Sequence, residues 1–295
     1  MKKYVVLAFA LCVAGAVMAA TADVSPAAGT VPGPTGYNPA FGTLIRTWIM
    51  SDGGSSSTYA PTGVADTFDN YLVVGAWSTW ARFVVYTTTG SLVKTVGVST
   101  TSGGYRDGTG MCHLGNNYIV TLQNTAGPYY YSYTAGGTPS GTGTSLFSGP
   151  QGRGIAWDGV YYYATIGQWS SAIGIYTSTG SLVSSITGPY SGGLYGIAAY
   201  PGSAYIYAVG QTGHDVSQVN KTTGSVIQSF AAGGSSAAPE GGGDMGCEGT
   251  PAGYIYYIIQ LASTTSQMHI HDTGETFANP AVMPSSLGKI KTLYR

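Results

Sequence analysis

An all-β fold, a β-propeller of four-stranded blades, is what this sequence predicts, and three patterns predict it. First, a Gly followed by an apolar residue recurs at Gly63-Val64-Ala65, Gly110-Met111-Cys112, Gly154-Ile155-Ala156 and Gly196-Ile197-Ala198, with a looser copy at Gly246-Cys247-Glu248. By subtraction of residue numbers the copies lie 47, 44, 42 and 50 residues apart, a period at which each repeat is one supersecondary unit stacked on its neighbours. Second, the turn Thr89-Gly90-Ser91-Leu92-Val93 returns as Thr179-Gly180-Ser181-Leu182-Val183 and as Thr223-Gly224-Ser225-Val226-Ile227, with weaker forms at Thr273-Gly274 and Gly143-Thr144-Ser145-Leu146. Third, no segment after the N-terminal apolar run keeps a helical period, whereas short β-branched and aromatic runs bounded by turn residues are frequent. Five repeats predict five blades, or six with a composite closing blade.

In chain order, residues 1–19 read as a secretory signal peptide. Lys2 and Lys3 precede an apolar run from Tyr4 to Val17, and Val17-Met18-Ala19 fits a small-residue cleavage site. Residues 20–40 carry Pro26, Pro32, Pro34 and Pro39 and read as a Pro-rich leader. From 41 to 295 a single propeller domain is expected. It opens on an orphan, Gly42 to Ile49, which has the pattern of a fourth strand with no strands of its own before it. A ring loses its free edges only when its two ends pair. Thr43, Leu44, Ile45, Trp48 and Ile49 are therefore expected either to close the last blade of the same molecule or to contact another subunit. The C-terminal run Gly288 to Tyr294 competes for the same place.

The four-stranded pattern is clearest over Gly154 to Ile186: an apolar strand, the turn at Asp158-Gly159, a Tyr-rich strand, a further strand, and a Thr-Gly turn into the last. The segment Ala231 to Asp244, rich in Gly, Ser and Ala, reads as a loop before the fifth repeat. Cys112 and Cys247 fall on equivalent first strands of non-adjacent repeats, where buried thiols are expected in preference to a bond, because a disulfide needs Cα atoms within about 7 Å.

Charge is scarce. Only 8% of residues are charged and the formal net charge is -1, while Gly (46) and Tyr (24) are abundant; ordinary globular domains are roughly 25% charged. There is no basic patch to neutralise phosphates, so nucleic acid is excluded as a partner. No apolar run after the signal is long enough to span a bilayer. Such a surface has little repulsion against its own copies.

The run Gly154-Ile155-Ala156-Trp157-Asp158-Gly159, its Tyr-rich strand and the following Ser-Thr-Gly-Ser turn resemble the repeat of secreted bacterial β-propellers related to the NHL and lactonase-like groups. In those families the run is Gly-Leu-Ala-Trp-Asp-Gly, followed by a strand and an Asp-x-x-Thr-Gly turn. The resemblance covers about residues 57–275 and is fullest in the third and fourth repeats. It implies the fold. Its members include binding modules, lyases and proteins without known activity, so it implies no single function. The acidic residue usual before the turn is replaced here by Tyr86, Tyr176 and Asn220, a departure from metal-dependent members.

Candidate site residues follow from the repeat frame. Gln123, Gln168, Gln211 and Gln260 recur 13 to 15 positions after the repeat Gly, at the end of second strands. With Trp77, Trp80, Trp169 and Arg153 they mark one candidate ligand-binding face. Amides donate and accept hydrogen bonds to hydroxyls and indoles stack on apolar faces, so that face suits a glycan; packing of each amide and indole within its own blade is the bland alternative. His269 and His271 alternate on one strand, and a solvated strand face is expected rather than a metal site, for which further ligands would be needed. Asn220-Lys221-Thr222 is a glycosylation sequon. No nucleophile elbow, metalloprotease helix, phosphate loop or carboxylate pair occurs.

The expectation is a secreted, non-catalytic propeller without cofactor or metal. It is an extracellular structural or surface-binding component, with itself or other surface proteins as partners. The alternative is a lectin-like glycan binder, and the third reading a lyase or lactonase-type enzyme.

Overall fold

The computed structural model describes residues 40–50, 60–66, 71–77, 82–97, 110–114, 117–124, 127–134, 147–148, 154–167, 170–190, 193–210, 215–231, 239–246, 252–262 and 265–276. They form a β-propeller. The strands are β1 (Leu44–Met50), β2 (Ala60–Asp66), β3 (Tyr71–Trp77), β4 (Arg82–Thr87), β5 (Leu92–Gly97), β6 (Met111–Leu114), β7 (Asn117–Asn124), β8 (Gly127–Thr134), β9 (Phe147–Ser148) and β10 (Ile155–Trp157). They continue as β11 (Tyr162–Thr165), β12 (Ala172–Tyr176), β13 (Leu182–Thr187), β14 (Leu194–Ala199), β15 (Tyr205–Gly210), β16 (Asp215–Asn220), β17 (Val226–Ala231), β18 (Pro239–Gly246), β19 (Ala252–Ala262) and β20 (Thr265–Thr276). Among the described residues these make five four-stranded sheets. Four are meanders of consecutive strands, and in the fifth the order is β1-β20-β19-β18.

The inner strands β2, β6, β10, β14 and β18 each touch the next, and β18 touches β2, so they run round a ring. The N-terminal orphan is thus the outermost strand of the sheet that the C-terminal strands begin, with Trp48 opposite Met268 and Leu44 opposite His271. A sixth, composite sheet is not built among the described residues, and Gly288 to Tyr294 lie outside them, as do the signal peptide and the leader up to residue 39.

Side-chain alternation explains the packing. On β19, Ile255, Tyr257 and Ile259 enter one cluster with Tyr200, Tyr207, Val209 and Val216 of the fourth repeat. Tyr256 and Ile258 enter another with Val64, Leu72, Val84 and Tyr86 of the first. A strand covered on both faces reads as a continuous apolar run rather than an alternating one, which is what Tyr254 to Ile259 is. Cys112 is buried on β6 and makes no disulfide among the described residues; Cys247 lies outside them.

Two expectations are corrected. The stretch Ala231 to Asp244 is not all loop, because Pro239–Gly246 is the inner strand of the closing sheet. Three consecutive glycines give no strand signal; pairing with β19 and the ring neighbours impose the extended chain. The looser marker at Gly246 consequently ends an inner strand instead of opening one. His269 and His271 do not lie on a solvated face: each is 4% exposed.

A second repeat relationship fixes adjacent sheets at their periphery. Each Thr-Gly turn glycine has positive φ (Gly90 94°, Gly180 81°, Gly224 75°), and so has Gly42 at 79°. Six residues after Gly42, Gly180 and Gly224 come Trp48, Ile186 and Phe230, and each packs against the turn glycine of the following sheet: Trp48 on Gly90, Ile186 on Gly224, Phe230 on Gly42. The orphan strand thus follows the same rule as the strands of complete repeats.

Candidate functional site

The outer strands carry the most regular surface feature of the molecule. Four of the five, β1, β5, β13 and β17, begin with two adjacent aliphatic residues, Leu44-Ile45, Leu92-Val93, Leu182-Val183 and Val226-Ile227, while β9 is Phe147-Ser148. All eight are exposed, from 38% at Ile45 to 58% at Leu182. An outermost strand is open on both faces, and four successive residues are exposed on β13 and on β17; at the aliphatic pair there is also a local break in the ladder. Every one of the four strands has it. Val85 pairs with Lys94 while Tyr86 pairs with Leu92, leaving Val93 as the extra residue of a bulge. Val183, Ile227 and Ile45 are the extra residues at the same point of the other three.

The turns that lead in explain why the bulge recurs. In the first repeat Gly90 N–H donates to Thr87 O at 2.9 Å and Thr87 N–H to Ser91 O at 2.9 Å. Ser91 N–H also donates to Thr87 Oγ1, at 3.0 Å. The third repeat repeats this at Thr177, Gly180 and Ser181. In the fourth, Asn220 Oδ1 accepts from Thr222 and Thr223 N–H, each at 3.0 Å. A tight turn closed by a left-handed glycine and followed by an extra residue is a standard hairpin solution, and bulges re-aim the side chains beside them.

Because the sheets are meanders, the turn before each outer strand lies at the same end of its sheet as the turn after each inner strand. The four aliphatic pairs therefore rim one face of the ring, with Val160, 54% exposed in the β10–β11 turn, on the same face.

Polar groups beneath this rim tie sheet to sheet. Asp158, 4% exposed, accepts from Val160 and Tyr161 N–H within its own turn, and from Tyr163 OH at 3.0 Å. It also accepts from Lys221 Nζ of the next sheet at 2.9 Å. Burial, with Asp158 alongside, pushes the Tyr163 hydroxyl far above the ordinary phenol range. One sheet on, Ser203 Oγ and Tyr207 OH donate to the carboxylate of Glu275 at 2.8 and 2.7 Å, and burial raises that carboxyl above its usual value. Arg46 Nη1 donates to Thr88 O at 2.8 Å and joins the closing sheet to the first. The Asp of the Trp-Asp-Gly motif is thus an inter-sheet tie in this molecule, and Trp157 lies half-buried on Tyr162, with ring centroids 4.4 Å apart.

The sequence-marked face is the opposite one. Trp77 is the last residue of β3, and Gln123 and Gln260 lie near the ends of β7 and β19. Their side chains, and all of Gln168, Trp169, Gln211, Trp80 and Arg153, lie outside the described residues. Thr43, Leu44, Ile45, Trp48 and Ile49 lie on or beside β1, with Ile49 54% exposed at the far end. Asn220 spends its side-chain oxygen inside its own turn. Among the described residues no group of three or more His, Cys, Asp or Glu could hold a metal ion, and no helix is long and apolar enough to cross a membrane. The aliphatic rim was not found from sequence; its signal was the recurrence of two adjacent aliphatics after every Thr-Gly-Ser.

Comparison with known proteins supports the fold. No family model matches the chain, and no curated protein matches it either. Among solved structures it is similar to the glutaminyl cyclase of Myxococcus xanthus, with 12% identity and a TM-score of 0.57 over 79% of this chain and 97% of that one. It is also similar to the tail fiber of Staphylococcus aureus phage P68, with 11% identity and a TM-score of 0.50 over 83% of this chain and 56% of that one. At these identities the likeness is one of fold.

Proposed function

We propose that the protein is an exported, non-catalytic, five-bladed β-propeller that serves as an extracellular structural component and associates with copies of itself through the aliphatic rim. The observation that carries this reading is the bulge-borne pair of exposed aliphatics at the head of four of the five outer strands, β1, β5, β13 and β17. Elsewhere β13 presents Ser and Thr to water, at Ser184, Ser185 and Thr187, which are exposed. Aliphatics that keep their place and exposure in repeat after repeat form a surface, whereas scattered single ones are ordinary.

Magnitudes decide the mode of association. Covering a half-exposed aliphatic side chain stabilises by about 1 kcal/mol, half the value for full burial. One sheet's pair packed on its partner's is then worth about 4 kcal/mol, no more than the lower end of the roughly 4–15 kcal/mol cost of association. The four pairs of both rings together reach about 16 kcal/mol, so side-by-side contact at one sheet is too weak and face-to-face stacking of two rings is favoured. The bulges also interrupt the outer ladder, which disfavours edge-to-edge strand pairing. The turns on this face are nearly uncharged, with Lys221 as the exception among Thr87–Ser91, Thr177–Ser181 and Asn220–Ser225.

The test is sedimentation velocity of the full mature chain over a hundredfold concentration range, beside a variant carrying Leu92→Ser, Val93→Ser, Leu182→Ser and Val183→Ser. Reversible dimerisation of the parent and a monomeric variant with an unchanged circular dichroism spectrum support the reading. A parent that stays monomeric throughout removes it.

A further inference from the structure

The closing sheet contains two histidines that the rim does not use. His269 and His271 stack with ring centroids 5.9 Å apart and planes 10° apart. Phe230 of the neighbouring sheet stacks on His271, at 4.7 Å and 17°. His271 Nδ1 lies 3.0 Å from the carbonyl oxygen of Gly42. A carbonyl only accepts, so Nδ1 carries the proton. Nε2 then accepts from Tyr257 OH at 2.8 Å, and the imidazole is neutral. Gly42 is the turn from which β1 starts. It is also held by Gly42 N–H to Asp272 O and, one residue on, by Asp272 N–H to Thr43 O.

His269 differs in one respect. Its Nε2 meets Gln267 Oε1 at 2.9 Å, where the amide oxygen accepts and Nε2 must donate. Its Nδ1 is buried and has no hydrogen-bond partner among the described residues. A second proton would therefore sit on a buried nitrogen with nothing to receive it, against the ring of His271. Burial, and then His271, lower the His269 pKa to about 4; burial also lowers that of His271, partly offset by the Gly42 carbonyl.

The groups facing this pair offer no counter-charge. From β19 comes Tyr257, from β17 Phe230, and from the start of β1 the Gly42 carbonyl. On β20 itself the Asp272 carboxylate accepts from Gly274 N–H at 2.7 Å, while Glu275 is committed to Ser203 and Tyr207. The nearest cation on β1, Arg46, reaches out to Thr88. Among the described residues neither imidazole meets a carboxylate.

We propose that His269 is an acid-sensitive latch on ring closure: when its buried, unpartnered Nδ1 takes up a proton, β1 lets go of β20. The direction of opening follows from the topology. Water reaches a newly charged imidazole on β20 with least disruption by displacing β1, the one strand outside it in the sheet, whereas β19 is locked into both neighbouring sheets. The latch is independent of the rim, since it acts within one molecule.

Hydrogen exchange on the full mature chain, corrected for the intrinsic pH dependence of exchange, tests this. Between pH 7 and pH 5 protection of residues 43–50 is expected to fall at least tenfold more than that of residues 205–220. In His269→Phe, which keeps the stacked ring and removes its proton site, the excess loss is expected to vanish. Equal loss in both regions, or the same excess loss in His269→Phe, overturns the proposal. If His269→Phe does not fold, the imidazole resonances of the parent decide. Loss of β1 protection in step with His269 protonation supports the latch, and titration of His269 near the ordinary histidine value with β1 still protected contradicts it.

Discussion

A Cβ placed on Gly90 would lie 2.5 Å from Cγ of Trp48, so the turn of the first sheet and the outer strand of the closing sheet meet with no room for a side chain between them. Gly90 also has φ of 94°, which an L side chain adopts at a cost of roughly 1–2 kcal/mol. Gly90→Ala is expected to cost about 2–4 kcal/mol, the backbone strain plus overpacking against the indole. Gly202 has φ of 84° with nothing within 4 Å of a Cβ, so Gly202→Ala should show the backbone part alone, about 1 kcal/mol. Denaturant midpoints of the two variants check the difference; equal losses would mean that Trp48 does not rest on that turn.

Asp158 and Lys221 form one ion pair with unequal consequences. The aspartate side chain is 3% exposed and the lysine 26%. Asp158→Ala strands two turn amides and the Tyr163 hydroxyl, and is expected to cost about 2–4 kcal/mol. Lys221→Ala removes a partly solvated partner and should cost about 1 kcal/mol or less. Equilibrium unfolding of both variants at neutral pH measures the asymmetry.

The histidines set an acid limit on stability. A base whose folded pKa lies below its unfolded value stays neutral in the fold while the unfolded chain takes up protons. Its contribution is therefore present above the unfolded value of about 6.5 and is lost as pH falls toward the folded value. For His269, with a pKa near 4, the loss runs through pH 6 and 5 at up to about 1.4 kcal/mol per pH unit. Unfolding free energies between pH 7 and pH 4.5 should fall more steeply for the parent than for His269→Phe. Glu275 acts in the opposite sense: its raised carboxyl pKa gives a contribution present in acid and lost as pH rises through the raised value.

Much of the fold is legible in the sequence because turns and strands announce themselves locally. The Thr-Gly turns need positive φ, and the orphan from Gly42 to Ile49 matches the frame of the other outer strands down to the spacing from Gly42 to Trp48. What the sequence conceals depends on partners far away in it. His269 and His271 alternate visibly, yet the face they choose is covered by Phe230 and by Gly42, which is 229 residues from His271. The inner strand Pro239–Gly246 has almost no strand propensity of its own. At the rim, period-two reasoning turns one of each aliphatic pair inward, but these strands are the outermost of their sheets and open on both faces, which is a property of the sheet order.

Carbene footprinting of the full chain across a concentration series tests the rim most directly, because the label reports coverage of aliphatic side chains. Labelling of Leu92, Val93, Leu182, Val183, Val226 and Ile227 is expected to fall together as concentration rises. Ile49, exposed at the other end of β1, should label equally throughout. Rim labelling that stays constant while the particles grow, or that falls no more than at Ile49, would contradict association through this face.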